Sequence, residues 1–164
     1  MSLKNCIALL FILAFLSYLV QSDFGNVNVK SHTLYSSNNQ HVVYDLYKPN
    51  SASKENKAPF IVVVPGFQRS KEALSNIAIE LSRRGKVVAL IDPYAQGVSS
   101  SSLSRRAATT EGYGMFALID TVSKGNLFDF VDTDKMASTG HSMGGNAAIR
   151  GANYFGREAI RENK

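Results

Sequence analysis

The stretch KMASTGHSMGGNAAIR, residues 135–150, carries the pattern that decides the fold of this chain. Its first five residues, Lys135–Thr139, favour a short strand, and Ser142 follows between two glycines, Gly140 and Gly144. Glycines two residues before and two residues after a serine permit a sharp turn between a strand and a helix, where larger side chains would collide. The pattern therefore predicts that the hydroxyl of Ser142 projects from the carboxyl edge of a sheet, on a strained backbone.

A serine in such a turn is a candidate nucleophile. A helix that begins at Met143 would direct its partial positive end toward the oxygen that becomes negative when Ser142 attacks a carbonyl carbon. The pattern Gly140-His141-Ser142-Met143-Gly144 is short, and an incidental serine in a glycine-rich turn is the alternative interpretation. The strand predicted before it and the helix predicted after it favour the nucleophile.

The sequence before this turn alternates between strands and helices. Phe60–Val64 and Val87–Ile91 are continuous apolar runs, which are typical of parallel strands buried on both faces. Val27–Leu34 and His41–Tyr47 are separated by a turn cluster, and together they predict an antiparallel hairpin. Helices are expected over Leu74–Leu81, with Ser70 as the cap and Gly85 at the end, from about Thr110 to Ser123, and from Met143 to about Tyr154.

This order predicts an α/β fold, a mostly parallel sheet with an N-terminal antiparallel hairpin and helices on both faces. Pro65-Gly66-Phe67 follows the first buried strand, and a glycine there lets the backbone approach the site closely. The backbone amides of Phe67 and Met143 are therefore candidate donors to an oxyanion. The alternative is an ordinary turn that only leads the chain out of the strand.

The N-terminus predicts an export signal. Lys4 supplies a positive charge, and an apolar stretch of about 15 residues runs from Cys6 to Val20, short for a bilayer span of about 20. We expect residues 1–22 to be a signal peptide that is removed after Ser22, and residues 23–164 to form a partial domain, which would then be secreted or extracytoplasmic. An uncleaved anchor, with residues 6–20 as a membrane tether, is the alternative.

Composition argues against several other classes. The formal net charge is +5, but the basic residues are scattered, which favours a solvated surface over a nucleic-acid site. The single cysteine, Cys6, lies in the predicted signal, so the rest of the chain has no disulfide or cysteine metal site. No histidine pair or phosphate-binding loop has the required spacing. We therefore expect no metal, no cofactor and no nucleic acid.

The chain resembles the α/β-hydrolase superfamily, especially the dienelactone-hydrolase-like and polyesterase-like bacterial serine esterases. The matching segments are Ile61–Phe67, Val88–Asp92 and Gly140–Gly145, in the family's order and spacing. The resemblance covers roughly Val42 to Tyr154.

The resemblance implies roles for individual residues. Ser142 would attack an ester carbonyl, the amides of Phe67 and Met143 would bind the oxyanion, and the Phe67 ring would line the cleft. The substrate would be a small ester or a polyester-like chain. Asp92 would close its strand and shape the loop that follows, which is expected to border the cleft as far as Ala108.

The sequence departs from the family in its general base. In the superfamily an acid and a histidine follow the serine, but no histidine or aspartate follows Ser142 here. His141 is expected to point away from the serine, and His32 and His41 to lie on the surface of the hairpin. The acids after Ser142 are Glu158 and Glu162. Without a base a serine hydroxyl is a poor nucleophile at neutral pH.

Two interpretations follow. In the first, the chain is the N-terminal part of a serine esterase whose C-terminal strands, acid and histidine lie beyond residue 164, so that this chain alone is inactive. In the second, it is a truncated or non-catalytic protein of the same fold that binds a ligand or a partner.

Overall fold

The computed structural model of the protein describes residues 2–36, 40–99, 111–125 and 127–162, with side chains up to residue 156 in the last range. Within these residues, strands and helices follow the predicted order. The strands are β1 Val27–Tyr35, β2 His41–Pro49, β3 Ala58–Val64, β4 Val87–Ile91 and β5 Val131–Gly140. The α-helices are α1 Leu3–Gln21, α2 Ser75–Arg83, α3 Met115–Ser123 and α4 Met143–Glu162, with 3-10 turns at Lys71–Leu74 and Gly112–Gly114.

The strands form one sheet in the order β1-β2-β4-β3-β5. The hairpin β1–β2 is antiparallel, and β2 also pairs antiparallel with β4. The strands β4, β3 and β5 are parallel to one another. The predicted α/β architecture is therefore confirmed, and the carboxyl ends of β3, β4 and β5 meet at one edge of the sheet.

Helices cover both faces of the sheet, because the parallel strands are apolar on both. In β3, Val62 and Val64 belong to one buried cluster and Val63 belongs to the other, as the alternation of side chains along a strand requires. Helix α2 covers the Val63 side through Ala78, and helices α3 and α4 cover the other side, where Leu118 is fully buried.

Helix α1 is the one helix in the described ranges that is long and apolar enough to cross a membrane. None of its side chains is buried. Its end is joined to the domain, since the Ser22 carbonyl accepts a hydrogen bond from Val27 N–H at 2.9 Å and Ser22 is only 6% exposed. The Arg83 guanidinium bonds both the Val20 carbonyl, at 2.9 Å, and the Asp23 carboxylate, at 3.0 Å.

Two predicted helix starts differ from the structure. Ser70 is at the N-cap position of the 3-10 turn before α2, but its side chain makes no capping bond. The carboxylate of Asp92, the first residue after β4, does so instead, since its Oδ1 accepts the Lys71 N–H at 2.7 Å. The helix expected from about Thr110 begins at Met115, after Tyr113 and Gly114 with φ of 56° and 94°. Such left-handed residues interrupt a helix.

Candidate active site

Ser142 lies in the turn that joins β5 to α4. Its φ is 53°, in the left-handed region that residues other than glycine rarely adopt. The turn is closed by a hydrogen bond from Gly144 N–H to the His141 carbonyl at 2.9 Å, and helix α4 follows immediately. Ser142 itself is exposed. The strand, the strained serine and the helix thus occur in the arrangement that the glycine spacing predicts.

The two glycines of the pattern are required by the neighbouring strand. A side chain on Gly140 or on Gly144 would overlap the carbonyl oxygen of Val64, at the end of β3. At Gly144 it would also come within 2.6 Å of the Pro65 carbonyl oxygen. The turn can therefore press against β3 only because neither position carries a Cβ.

The loop after β3 lies directly against this turn. A Cβ on Gly66 would be 3.3 Å from the Ser142 Cβ and 3.0 Å from His141 Nδ1, so the imidazole of His141 rests against Gly66. Phe67 follows, with 51% of its surface exposed, and Arg69 N–H closes the turn on the Gly66 carbonyl at 3.2 Å. The structure thus brings the segment that carries the Phe67 amide to the serine.

Asp92 has a structural role in the described residues. It is 2% exposed, and its two carboxylate oxygens accept backbone N–H groups, from Lys71 at 2.7 Å and from Val98 at 3.2 Å. Its carbonyl accepts the Ser99 hydroxyl at 2.7 Å. It therefore closes β4 and shapes the loop after it, as the sequence resemblance implies. The part of the predicted Asp92–Ala108 loop beyond Ser99 lies outside the described residues.

A charge cluster fixes the 3-10 turn that follows the Phe67 loop. The Lys71 ammonium is 2.8 Å from the Glu72 carboxylate and 3.4 Å from that of Asp45 on β2. Burial works to lower the pKa of Lys71, but the hydrogen bond to Glu72 and the nearby acids raise it above its ordinary value. Hydrogen bonds from the side chains of Lys71 and Ser70 to the Glu72 carboxylate lower the pKa of Glu72 to about 2.

His32 and His41 lie on β1 and β2, which β4 and β3 separate from β5, the strand before Ser142. Both are half-buried, so the expectation of surface positions is only partly right. The His32 ring stacks on Tyr44, with ring centroids 5.4 Å apart, and burial raises the pKa of Tyr44 to about 12. The His41 Nε2 is 3.2 Å from the Val98 carbonyl oxygen. No group of acids, cysteines and histidines in the described part of the chain is arranged to hold a metal ion.

Two residues near the site carry no sequence signal. The Gln96 side-chain oxygen accepts the Arg69 N–H of the loop after β3, and the Lys71 N–H donates to the Asp92 carboxylate in the loop after β4. Neither belongs to a recognisable motif, because their roles depend on how two loops meet at the sheet edge. Gly97, whose φ of 55° brings the chain over the Asp92 carboxylate, is the one feature of the local sequence that points to a tight turn there.

A mostly parallel sheet of this order, with helices on both faces, is the architecture of the α/β-hydrolases. The chain belongs to the PET hydrolase-like family, whose model matches residues 17–161. No curated protein matches the sequence.

Solved structures share the fold. DcsB, in complex with its substrate analogue, has 21% sequence identity and a TM-score of 0.64, over 76% of this chain and 40% of that one. Brefeldin A esterase, a bacterial homologue of human hormone sensitive lipase, has 16% identity and a TM-score of 0.63, over 82% and 37%. An esterase of Pyrococcus furiosus has 18% identity and a TM-score of 0.61, over 76% and 47%. The chain thus spans less than half the length of these structures.

Proposed function

We propose that the protein is a serine hydrolase that cleaves carboxylic esters through an acyl-enzyme on Ser142. The observation that carries the proposal is the φ of 53° at Ser142, between β5 and α4. Strain of this kind at a residue other than glycine persists only where the surroundings enforce it, and it gathers at functional sites. Membership of the PET hydrolase-like family and the esterases among the structures of this fold support the same reaction.

In the proposed reaction the Ser142 oxygen bonds to the ester carbonyl carbon, and the electron pair of the C=O bond moves to the oxygen. The backbone amides of Phe67 and Met143 donate hydrogen bonds to this oxyanion. When the carbonyl re-forms, the alcohol leaves with the proton that the serine hydroxyl gave up, and water then hydrolyses the acyl-enzyme. The base that carries the proton is expected to be a histidine, oriented by an acid, and both follow the serine in this superfamily.

The proposed substrate is a small ester or a polyester-like chain. The aromatic ring of Phe67 is about half exposed, one residue after the glycine that contacts Ser142 and His141. An aromatic face at this position suits an apolar acyl or aryl group beside the scissile bond. The family description points to the same class of substrate.

A fluorophosphonate probe tests the proposal, because it bonds covalently to an activated serine oxygen. The full-length protein is expected to be labelled, and Ser142→Ala to lose all labelling while keeping its unfolding temperature. Ser123→Ala is the matched control, since Ser123 is exposed and its hydroxyl bonds a carbonyl of its own helix. An intact, folded protein that takes no label would favour the non-catalytic, ligand-binding interpretation.

We further propose that helix α1 directs the protein out of the cytoplasm. Its length and apolar surface suit either a secretory signal or a membrane tether. Mass spectrometry of the exported protein distinguishes the two. A signal peptide predicts a mature protein that begins at Asp23, whereas a tether predicts that residues 6–20 are retained in the membrane fraction. An intact N-terminus in the cytoplasm would contradict both.

A further inference from the structure

The loop after β4 folds back on itself at the edge of the sheet. Asp92 accepts the Val98 N–H across the loop, and Ser99 accepts the Val43 N–H at 2.8 Å, which ties the loop to β2. Ala95 and Gly97 have φ of 64° and 55°. These bonds give residues 92–99 a fixed shape, in which Gln96 occurs between the two left-handed residues.

Within the described residues, the side chain of Gln96 makes one hydrogen bond, to the loop after β3. Its Oε1 accepts the Arg69 N–H at 3.0 Å, while its Nε2 is buried and has no hydrogen-bond partner in the described part of the chain. A backbone N–H requires an acceptor, so the amide can be oriented in only one way. The bond to the Arg69 N–H therefore leaves the buried Nε2 of Gln96 without an acceptor, and a buried donor without a partner lowers stability.

The Arg69 N–H is at the far end of the turn that contains Phe67. It is shared between Gln96 Oε1 and the Gly66 carbonyl, at 3.0 and 3.2 Å. At the near end of the turn, Gly66 is in contact with Ser142. The amide of Phe67 therefore lies between two fixed points, one set by the serine turn and the other by Gln96.

We propose that Gln96 is a positioning residue, which holds the Phe67 amide where it can bind the oxyanion. The proposal rests on the proposed function. It extends that function to the loop after β4, which would influence the reactivity of Ser142 through the loop that contains Phe67. The Gln96 oxygen accepts the Arg69 N–H, so Gln96 would act through the turn that contains Phe67. Misplacement of a catalytic donor by about 1 Å is enough to lower a rate by about a hundredfold.

Labelling by the fluorophosphonate probe measures this effect in the full-length protein. Gln96→Met keeps the length of the side chain and removes the acceptor, and we expect its maximal labelling rate to fall ten- to a hundredfold, with little change in the probe concentration that gives half of that rate. The control is Glu55→Met, a side chain of similar length at an exposed residue between β2 and β3. A Gln96→Met rate within twofold of the wild-type rate would overturn the proposal.

Amide hydrogen exchange separates this proposal from the proposed function. In Gln96→Met, exchange of the Arg69 amide should be at least tenfold faster, whereas Gln96→Glu, which keeps an acceptor oxygen, should retain the wild-type rate. Unchanged exchange in Gln96→Met would show that Gln96 does not hold the turn. Absence of labelling in the wild-type protein would overturn the hydrolase instead, and exchange at Arg69 would still decide on Gln96.

Discussion

At the scale of single residues, the candidate site depends on two glycines, Gly140 and Gly144, that carry no Cβ atom. The Val64 carbonyl at the end of β3 occupies the space where Gly140 and Gly144 would carry a Cβ. This contact allows the serine turn to approach the loop that contains Phe67. The sequence alone predicts this feature, because the two glycines that avoid the clash lie within one short motif.

Gly144→Ala tests this contact. The new methyl group would overlap the Val64 and Pro65 carbonyl oxygens, which are backbone atoms and cannot rotate away, so we expect a loss of at least about 3 kcal/mol in the free energy of unfolding. Gly156→Ala is the control within the same helix, where no described atom apart from neighbouring residues and the helix backbone lies within 4 Å of the added carbon. It should stabilise the protein by about 0.5–1 kcal/mol through helix propensity. Chemical denaturation measures both, and equal effects would contradict the clash.

At the scale of elements, strands were easier to predict than the loops between them. The continuous apolar runs of β3 and β4 are imposed by burial on both faces, so the sequence reveals them directly. The prediction began β5 at Lys135 and missed its start at Val131, because the polar Asp132 and Asp134 interrupt any hydrophobic pattern there. The cap of the Lys71 turn comes from Asp92, far away in sequence, and a local rule cannot identify such a partner.

The Lys71–Glu72 contact predicts a dependence of stability on pH. The pKa of Glu72 is lowered to about 2 in the folded protein from an ordinary value of 4.5, so its contribution is complete above pH 4.5 and is lost as the pH falls toward 2. Because the carboxylate is largely exposed, the contribution should be small, about 0.2–1 kcal/mol.

Urea denaturation from pH 7 to pH 2 checks this expectation. Glu72→Gln should be less stable than the wild type at neutral pH, and the two should converge at the acid end. Glu55→Gln serves for comparison, since the Glu55 carboxylate bonds the Ser53 hydroxyl. A Glu72→Gln difference that stays constant down to pH 2 would show that the ion pair does not contribute.

At the scale of the whole molecule, helix α1 contributes no buried side chain to the domain. All side chains of α1 lie outside the buried clusters, whereas Ser22, immediately after it, is held by the domain. We therefore expect that deletion of residues 2–21 leaves the domain folded and lowers its free energy of unfolding by no more than about 1 kcal/mol, chiefly through the lost bond from Arg83 to Val20.

Denaturation of the deletion variant beside the full chain measures this difference. Arg83→Gln in the full chain is the companion variant, since it removes the same bond and also the ion pair with Asp23. A deletion variant that fails to fold would show that α1 is part of the domain.

The parallel pairing of β3 with β5 also has a consequence for the order of folding. Val64 pairs with Gly140, so the two walls of the site come from distant parts of the chain. Closing so long a loop lowers the entropy of the chain before stabilising contacts can form, and such topologies fold slowly. The hairpin can form early from neighbouring residues, but the serine turn and the loop after β3 cannot meet until β3 and β5 have paired. Reactivity of the serine would therefore report on the last stage of refolding, after the hairpin has already formed.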